Sequence, residues 1–163
     1  MNRVNTMKIT LLVIGKTLSE YLKTGENEYL KRLTFYGNID YCVIPTLKNA
    51  KSLTEEQQKT EEGKLLLSKI ESSDFCVLLD ENGKNCSSEA FADFLNGKMV
   101  SGVKNLVFVV GGAYGFSDHL YQRANHKLSL SSMTFSHQMV RLIFLEQLYR
   151  AFTILKGEPY HHR

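Results

Sequence analysis

The run Leu106-Val107-Phe108-Val109-Val110, closed by Gly111-Gly112-Ala113-Tyr114-Gly115, governs how this 163-residue chain is read. Five consecutive apolar residues, three of them valine, describe a strand buried on both faces, as in a parallel sheet covered by helices. The glycines that follow let backbone N–H groups approach a ligand closely, although a glycine cluster after a strand is also an ordinary tight turn. Gly111-Gly112-x-x-Gly115 matches neither the dinucleotide fingerprint nor a phosphate loop ending in Gly-Lys-Ser/Thr.

Similar punctuation recurs along the chain. Met7–Ile14 reads as a strand closed by Gly15, Ile39–Ile44 as a second stopped by Pro45, and Phe75–Asp80 as a third ending at an Asn82-Gly83 turn. Leu18–Phe35 carries an apolar stripe of helical spacing, with Gly25 weakening its middle. Thr54-x-x-Gln57 is a capping box for a charged helix to about Ser72, and Ser87 caps a helix holding Phe91, Phe94 and Leu95. A short helix from about Ser117, a brief strand Lys127–Leu130 and a long helix Ser136–Leu155 complete the pattern. Five strand–helix alternations predict an α/β fold class, with a mainly parallel sheet and helices on both faces. Ligands in such sheets bind beyond the carboxyl ends of the strands. The loops after Asp80, Val110 and Leu130 are therefore the candidate site. Residues 1–6 read as an extension outside the fold, and residues 7–163 as one domain.

Apolar side chains occupy most of the circumference of the final helix, which requires burial all round. Its second side packs either inside the chain or on another copy, and a homodimer is the expectation. The polar exceptions Glu146, Arg150 and Thr153 share one stripe, and Glu146 and Arg150 form an i, i+4 pair in the favourable order. Such a pair either fixes the helix or serves a site. Arg141 lies nearly opposite and is free to face another surface. After Gly157 and Pro159, Tyr160-His161-His162-Arg163 is either a frayed terminus or a clamp able to stack on a nucleobase and hold its phosphate.

The net charge of +3 is unevenly placed: Lys/Arg and Asp/Glu balance over residues 1–110, whereas residues 111–163 hold the surplus and all five histidines. The three cysteines form no C-x-x-C, and Cys42 and Cys76 sit in apolar runs, as core thiols of a reducing cytosol do. No Cys/His grouping has metal spacing, and no metal is expected. No apolar run approaches a membrane span, no signal peptide is apparent, and a cytoplasmic location is expected. A G-x-S-x-G elbow is absent, which disfavours a hydrolase.

In order along the chain come Lys8-Ile9, Leu79-Asp80, Ser87-Ser88-Glu89, Phe108–Gly112, Leu128-Ser129-Leu130-Ser131-Ser132-Met133-Thr134, His137-Gln138-Met139-Val140-Arg141, Glu146–Ala151 and Pro159-Tyr160-His161. From Met7 onward this closely resembles the ribosomal RNA large subunit methyltransferase H family of the SPOUT class, which methylates the N3 nitrogen of a pseudouridine in 23S rRNA. The family usually has proline where Ser136 stands and one terminal histidine, so His162 leaves open which imidazole does chemistry.

The resemblance implies a C-terminal trefoil knot, S-adenosylmethionine held in the knot loops, and a homodimer whose interface helps form each active site. Carried onto matching positions, cofactor contacts fall at Leu79, Gly111, Leu130, Ser131, Ser132, Met133, Thr134 and Phe135, the same three loops that the strand-end rule selects. The imide nitrogen must lose its proton as it attacks, and a cation can stabilise charge on the flanking carbonyl oxygens. Arg150, held by Glu146, suits that role or a phosphate contact. Tyr160 suits stacking on or orienting the base, and His161 is the candidate proton acceptor. The implied partner is 23S rRNA, within a large subunit or assembled ribosome. A small basic dimer has little surface for reading sequence, so a larger assembled shape is the better target. The competing reading from another class is a non-catalytic RNA-binding module that keeps the fold without the cofactor.

Overall fold

The predicted alternation takes shape in a computed structural model that describes residues 6–162. The elements run β1 (Lys8–Ile14), α1 (Glu20–Leu33), β2 (Asn38–Ile44), α2 (Glu55–Leu67), β3 (Phe75–Asn85), α3 (Ser88–Val100), β4 (Asn105–Val110), α4 (Asp118–Arg123), β5 (His126–Ser129) and α5 (Met139–Leu155). All strand pairings are parallel, in the order β2-β1-β4-β3-β5. Of the residues expected to lie outside the fold, 1–5 are outside the described ones; Thr6 is exposed and Met7 is buried.

Strand alternation divides the core in two. Ile9, Leu11 and Val13 of β1 and Leu106, Phe108 and Val110 of β4 face α1, α3 and α5 through Leu33, Phe91 and Phe144. Leu12, Ile14, Val107 and Val109 face α2 and α4 through Leu66 and Leu120. β4 is buried on both sides because helices cover both faces, as its unbroken apolar run predicted. The helix starts follow their caps: Thr54 and Gln57 make both legs of the capping box, and Ser87 Oγ accepts from Ala90 N–H.

Three details differ from expectation. Asn82-Gly83 does not end β3. Leu79 and Lys84 both register with Leu128, so Asp80–Gly83 bulges out of the ladder before pairing resumes. A Cβ on Gly83 would stand 2.7 Å from the Lys127 carbonyl carbon, so only glycine lets the bulge lie against β5. Gly25 marks a close helix crossing, since a Cβ there would meet Leu142 of α5 at 2.9 Å. Finally, α5 begins at Met139; Ser136 precedes it, its Oγ accepting from Met139 N–H.

Seated between α1 and α3 on the sheet, α5 has no exposed residue within the single chain. Its apolar circumference therefore does not by itself demand a second copy. Arg141 does not face another surface either. It is 1% exposed and donates to the carbonyls of Ile14 (2.7 Å) and Gly15 (2.7 Å) at the end of β1, and to Thr17 Oγ1 (3.3 Å). Thr17 donates to the buried Glu26, to which Tyr41 also donates, so the guanidinium meets its counter-charge through a hydroxyl. Gln138 adds a second tie, accepting from Leu18 N–H and donating to the Lys16 carbonyl. From β5 at one edge, residues 130–138 thus pass the ends of β3 and β4 to reach β1.

Replacing Arg141 by alanine leaves two buried carbonyls without their donor. Urea unfolding of Arg141→Ala is expected to show a loss of about 3–5 kcal/mol, the scale of breaking a buried charge network.

Candidate functional site

Three loops meet beyond the carboxyl ends of β3, β4 and β5 and enclose a cleft of about 670 Å³. The bulge after Leu79 gives one wall, Gly111–Phe116 the second and Leu130–Val140 the third. That volume lies within the ~300–1,000 Å³ range of small-molecule sites. Leu79, Val110, Leu130, Met133 and Val140 supply apolar surface, and the glycine turn supplies backbone polar groups. The charged lining is mainly acidic, with Asp80, Glu81 and Asp118 against Lys59. Asp80, 9% exposed, accepts from Asn82 N–H (3.0 Å) and from the Tyr121 hydroxyl (2.7 Å). Burial, then the bond to Asp80, pushes the Tyr121 hydroxyl up to about 12, so it stays a donor. An acidic wall suits a cationic ligand and disfavours a polyphosphate.

The polar stripe of α5 makes a second constellation. Arg150 donates to Glu146 through Nε and Nη2, and the Tyr160 hydroxyl donates to the same carboxylate (3.1 Å). The Arg150 guanidinium lies 4.9 Å from the Tyr160 ring centroid. Hydrogen bonding to Glu146 raises the Arg150 pKa, which keeps the side chain cationic. Burial first, then the bonds to Tyr29 and Glu146, raise the Tyr160 pKa well beyond the ordinary phenol range. His161 lies between Arg150 Nη1 (3.0 Å from Nδ1) and Glu89 Oε1 (2.9 Å from Nε2). A guanidinium can only donate, so Nδ1 is the acceptor and the proton sits on Nε2, facing Glu89.

The chain of bonds closes on itself. Glu146 Oε2 accepts from Gln147 Nε2 (2.9 Å), and Gln147 Oε1 accepts from Ser88 Oγ (2.7 Å). Ser88 neighbours Glu89 at the start of α3, so Ser88, Gln147, Glu146, Arg150, His161 and Glu89 form a ring across α3, α5 and the tail. Beside it lies a cavity of about 100 Å³ lined by Ser88, Gln147, Cys86 and Phe91, which shares Leu128, Ser129 and Leu130 with the large cleft. The ring and the cleft are thus separated by one strand end.

Of the expected cofactor contacts, Leu79, Gly111, Leu130, Ser131, Met133, Thr134 and Phe135 line the cleft, whereas Ser132 is exposed and is not part of its wall. Glu146, Arg150, Tyr160 and His161 come together, and the tail is tied rather than frayed. Glu89, Gln147 and Tyr121 were not singled out by sequence reasoning, whereas Asp80 opens one of the three loops it selected. The quoted Ser87-Ser88-Glu89 motif was the available signal for Glu89. His137 precedes α5 and lines the cleft instead of lying in the helix's first turn. His126 stacks on Phe94, and its pKa is lowered by burial and then by Lys84 and Lys98. Cys76 is buried as expected, but Cys42 only partly. Among the described residues there is no grouping of three or more His, Cys, Asp or Glu able to hold a metal, and no helix is long and apolar enough to cross a membrane.

Comparison with known proteins bears on these features directly. Residues 7–161 match the family model described as "Predicted SPOUT methyltransferase". The chain is 58% identical over 157 residues to a ribosomal RNA large subunit methyltransferase H of Flavobacterium johnsoniae, covering 96% of this chain and 100% of that protein. It is 54% identical over 156 residues to the protein of the same name from Bacteroides thetaiotaomicron, covering 96% and 99%. A full-length match at this identity, over a sheet whose strand ends carry the glycine turn and the 130–138 crossing, places the chain in the SPOUT methyltransferase family, among the ribosomal RNA large subunit methyltransferase H proteins.

Proposed function

We propose that this protein transfers a methyl group from S-adenosylmethionine to the N3 nitrogen of a pseudouridine in 23S rRNA. The observation that carries the reading is the adjacency of an acidic, apolar-walled cleft and a cation-bearing polar ring, separated by the end of β5. The cofactor's cationic sulfur and ammonium suit Asp80, Glu81 and Asp118, and its adenine suits Leu79, Leu130 and Val110. Bound there, it supplies an electrophilic methyl on a good leaving group.

The protein's part is alignment and proton removal. Arg150, kept cationic by Glu146, faces the charge that develops on a base carbonyl as the imide loses its proton. Its engagement there releases Nδ1 of His161, the one ring nitrogen able to accept a proton; Nε2–H stays on Glu89. Tyr160, fixed by Glu146 and by the Tyr149 ring at 4.7 Å, presents an aromatic edge for the base. Tail and helix thus act together, because freeing the base nitrogen of His161 requires Arg150 to move.

The trefoil knot belongs to the same reading. It is supported by the 130–138 crossing, which returns the chain from the β5 edge past two bulging loops to β1. The homodimer is supported by apolar side chains left bare around that crossing: Leu18 is 77%, Tyr21 67% and Met133 77% exposed, and Leu18 is bonded to Gln138. A dimer that brings a second tail toward each cleft suits a large structured target within a ribosomal subunit or ribosome, in the cytoplasm.

Calorimetry with S-adenosylmethionine is expected to show binding; its absence would favour the non-catalytic RNA-binding module. With 23S rRNA in ribosomal particles and saturating cofactor, Arg150→Ala and His161→Ala are each expected to lower kcat about 100-fold or more. Cofactor affinity should be retained, because neither residue lines the cleft; wild-type rates in both variants would refute the assignment. Cells lacking the gene should lose one methylated pseudouridine from 23S rRNA by mass analysis. Sedimentation should give a dimer that Leu18→Asp with Met133→Asp converts to monomer.

A further inference from the structure

We infer that Ser88 and Gln147, at the small cavity beside the cleft, are the residues that distinguish pseudouridine from uridine. The inference rests on the methyltransferase reading above and adds how the base is chosen. Two observations carry it: the cavity's position and the fixed orientation of Gln147 beside the hydroxyl of Ser88.

The cavity of about 100 Å³ adjoins the cleft, Leu128, Ser129 and Leu130 lining both. It is smaller than the ~150 Å³ that encloses benzene, so a planar ring enters by an edge, with its opposite edge left outside on the side of the cleft. A ring placed this way keeps its reacting nitrogen at the cleft and buries the atoms farther round. Phe91 and Leu128 give apolar surface for its faces.

The polar groups at that edge are ordered by their neighbours. Glu146 Oε2 can only accept, so Gln147 turns Nε2 toward it and Oε1 toward Ser88. Ser88 Oγ donates to that Oε1 at 2.7 Å. The cavity therefore presents a donor and an acceptor side by side. Their complement is a carbonyl adjacent to a ring N–H.

With N3 facing the cleft, pseudouridine offers such a pair in its C2 carbonyl and N1–H. Uridine carries its sugar on N1 and has no hydrogen there. On entry of pseudouridine, the Ser88 hydroxyl turns to the C2 carbonyl and Gln147 Oε1 accepts N1–H. One internal hydrogen bond is replaced by two to the base. With uridine the Ser88 hydroxyl can serve either the C2 carbonyl or Gln147 Oε1 but not both, so one acceptor is left without a donor, the arrangement by which a polar site rejects an analogue lacking one N–H. Cytidine fails in the same way, since its N1 is also glycosylated.

The test uses ribosomal particles carrying either pseudouridine or uridine at the target position, with wild-type, Gln147→Met and Ser88→Ala proteins. Wild type is expected to favour pseudouridine in kcat/KM. Gln147→Met should reduce that preference about tenfold or more, with a greater loss of rate on pseudouridine than on uridine, while the Kd for S-adenosylmethionine stays unchanged. Ser88→Ala, which removes only one hydroxyl, should lower kcat/KM several-fold on both particles, because both bases carry the C2 carbonyl; it gives an independent result should Gln147→Met fail to fold. Equal wild-type rates on both particles, an unaltered preference in Gln147→Met, an equal loss on both particles in that variant, or wild-type rates in Ser88→Ala would each overturn the inference and leave the methyltransferase intact. A wild-type protein that methylates neither particle would overturn the methyltransferase reading itself.

Discussion

The buried guanidinium of Arg141 fixes where the last third of the chain can lie. It stands in the first turn of α5, where a helix dipole is unfavourable to a cation, and its hydrogen bonds to the backbone go to the carbonyls that end β1. Those carbonyls lie at the end of the strand, where the sheet ladder stops. Arg141 satisfies them and Thr17 links it to Glu26, so the end of β1, the start of α1 and the start of α5 become one polar unit. Two consequences follow from its position. Residues 130–138 must travel across the carboxyl ends of β3 and β4, and α5 must run back along the sheet face between α1 and α3.

The first consequence builds the cleft, and the second builds the ring. A segment stretched over strand ends lies against whatever those strands carry there, here the Asp80–Gly83 bulge and the Gly111–Gly115 turn. The bulge is possible because Gly83 lets the chain lie against β5 without a side chain between them. In the same way, Gly25 lets α5 settle close to α1, and that depth brings Tyr149 onto Tyr29 and Tyr36. Tyr29 then also reaches the Tyr160 hydroxyl, and Glu158 accepts from Tyr36, so the packing of α1 against α5 also anchors the terminal residues.

Much of this was legible in the sequence because it depends on local pattern. An unbroken Leu106–Val110 run requires a strand covered on both faces, Thr54 and Gln57 define a cap within four residues, and the strand-end rule then selects the three loops. Glu146 and Arg150 were readable as a pair from their helical spacing. Arg141 was not, because its partners are backbone carbonyls more than 120 residues away and leave no mark in composition. Gly25 and Gly83 looked like a weak helix position and a turn, since a glycine shows where a side chain is missing but not what approaches it. Ser132 was carried along with its neighbours in the matching run, but it does not line the cleft. The all-apolar face of α5 implied a partner surface, but three elements of its own chain cover it first. Family resemblance, not periodicity, suggested His161 as a proton acceptor; only the geometry shows that Arg150 holds its accepting nitrogen.

The ring illustrates why polar residues can persist on an otherwise apolar helix. Burying Glu146 or Arg150 alone would be strongly unfavourable, whereas each here is matched by charge and hydrogen bonds. The ring also joins donors and acceptors that have little freedom to exchange: Arg150 only donates, the carboxylates of Glu146 and Glu89 accept, and these fix the tautomer of His161 and the orientation of Gln147. Two groups retain an alternative, the Ser88 hydroxyl, which can rotate, and the Arg150 guanidinium, which can leave His161 while keeping contact with Glu146. A network so constrained is rigid except at those two groups, and under the proposed function that property would let one set of side chains hold the tail in the free protein and act on a base when it is bound.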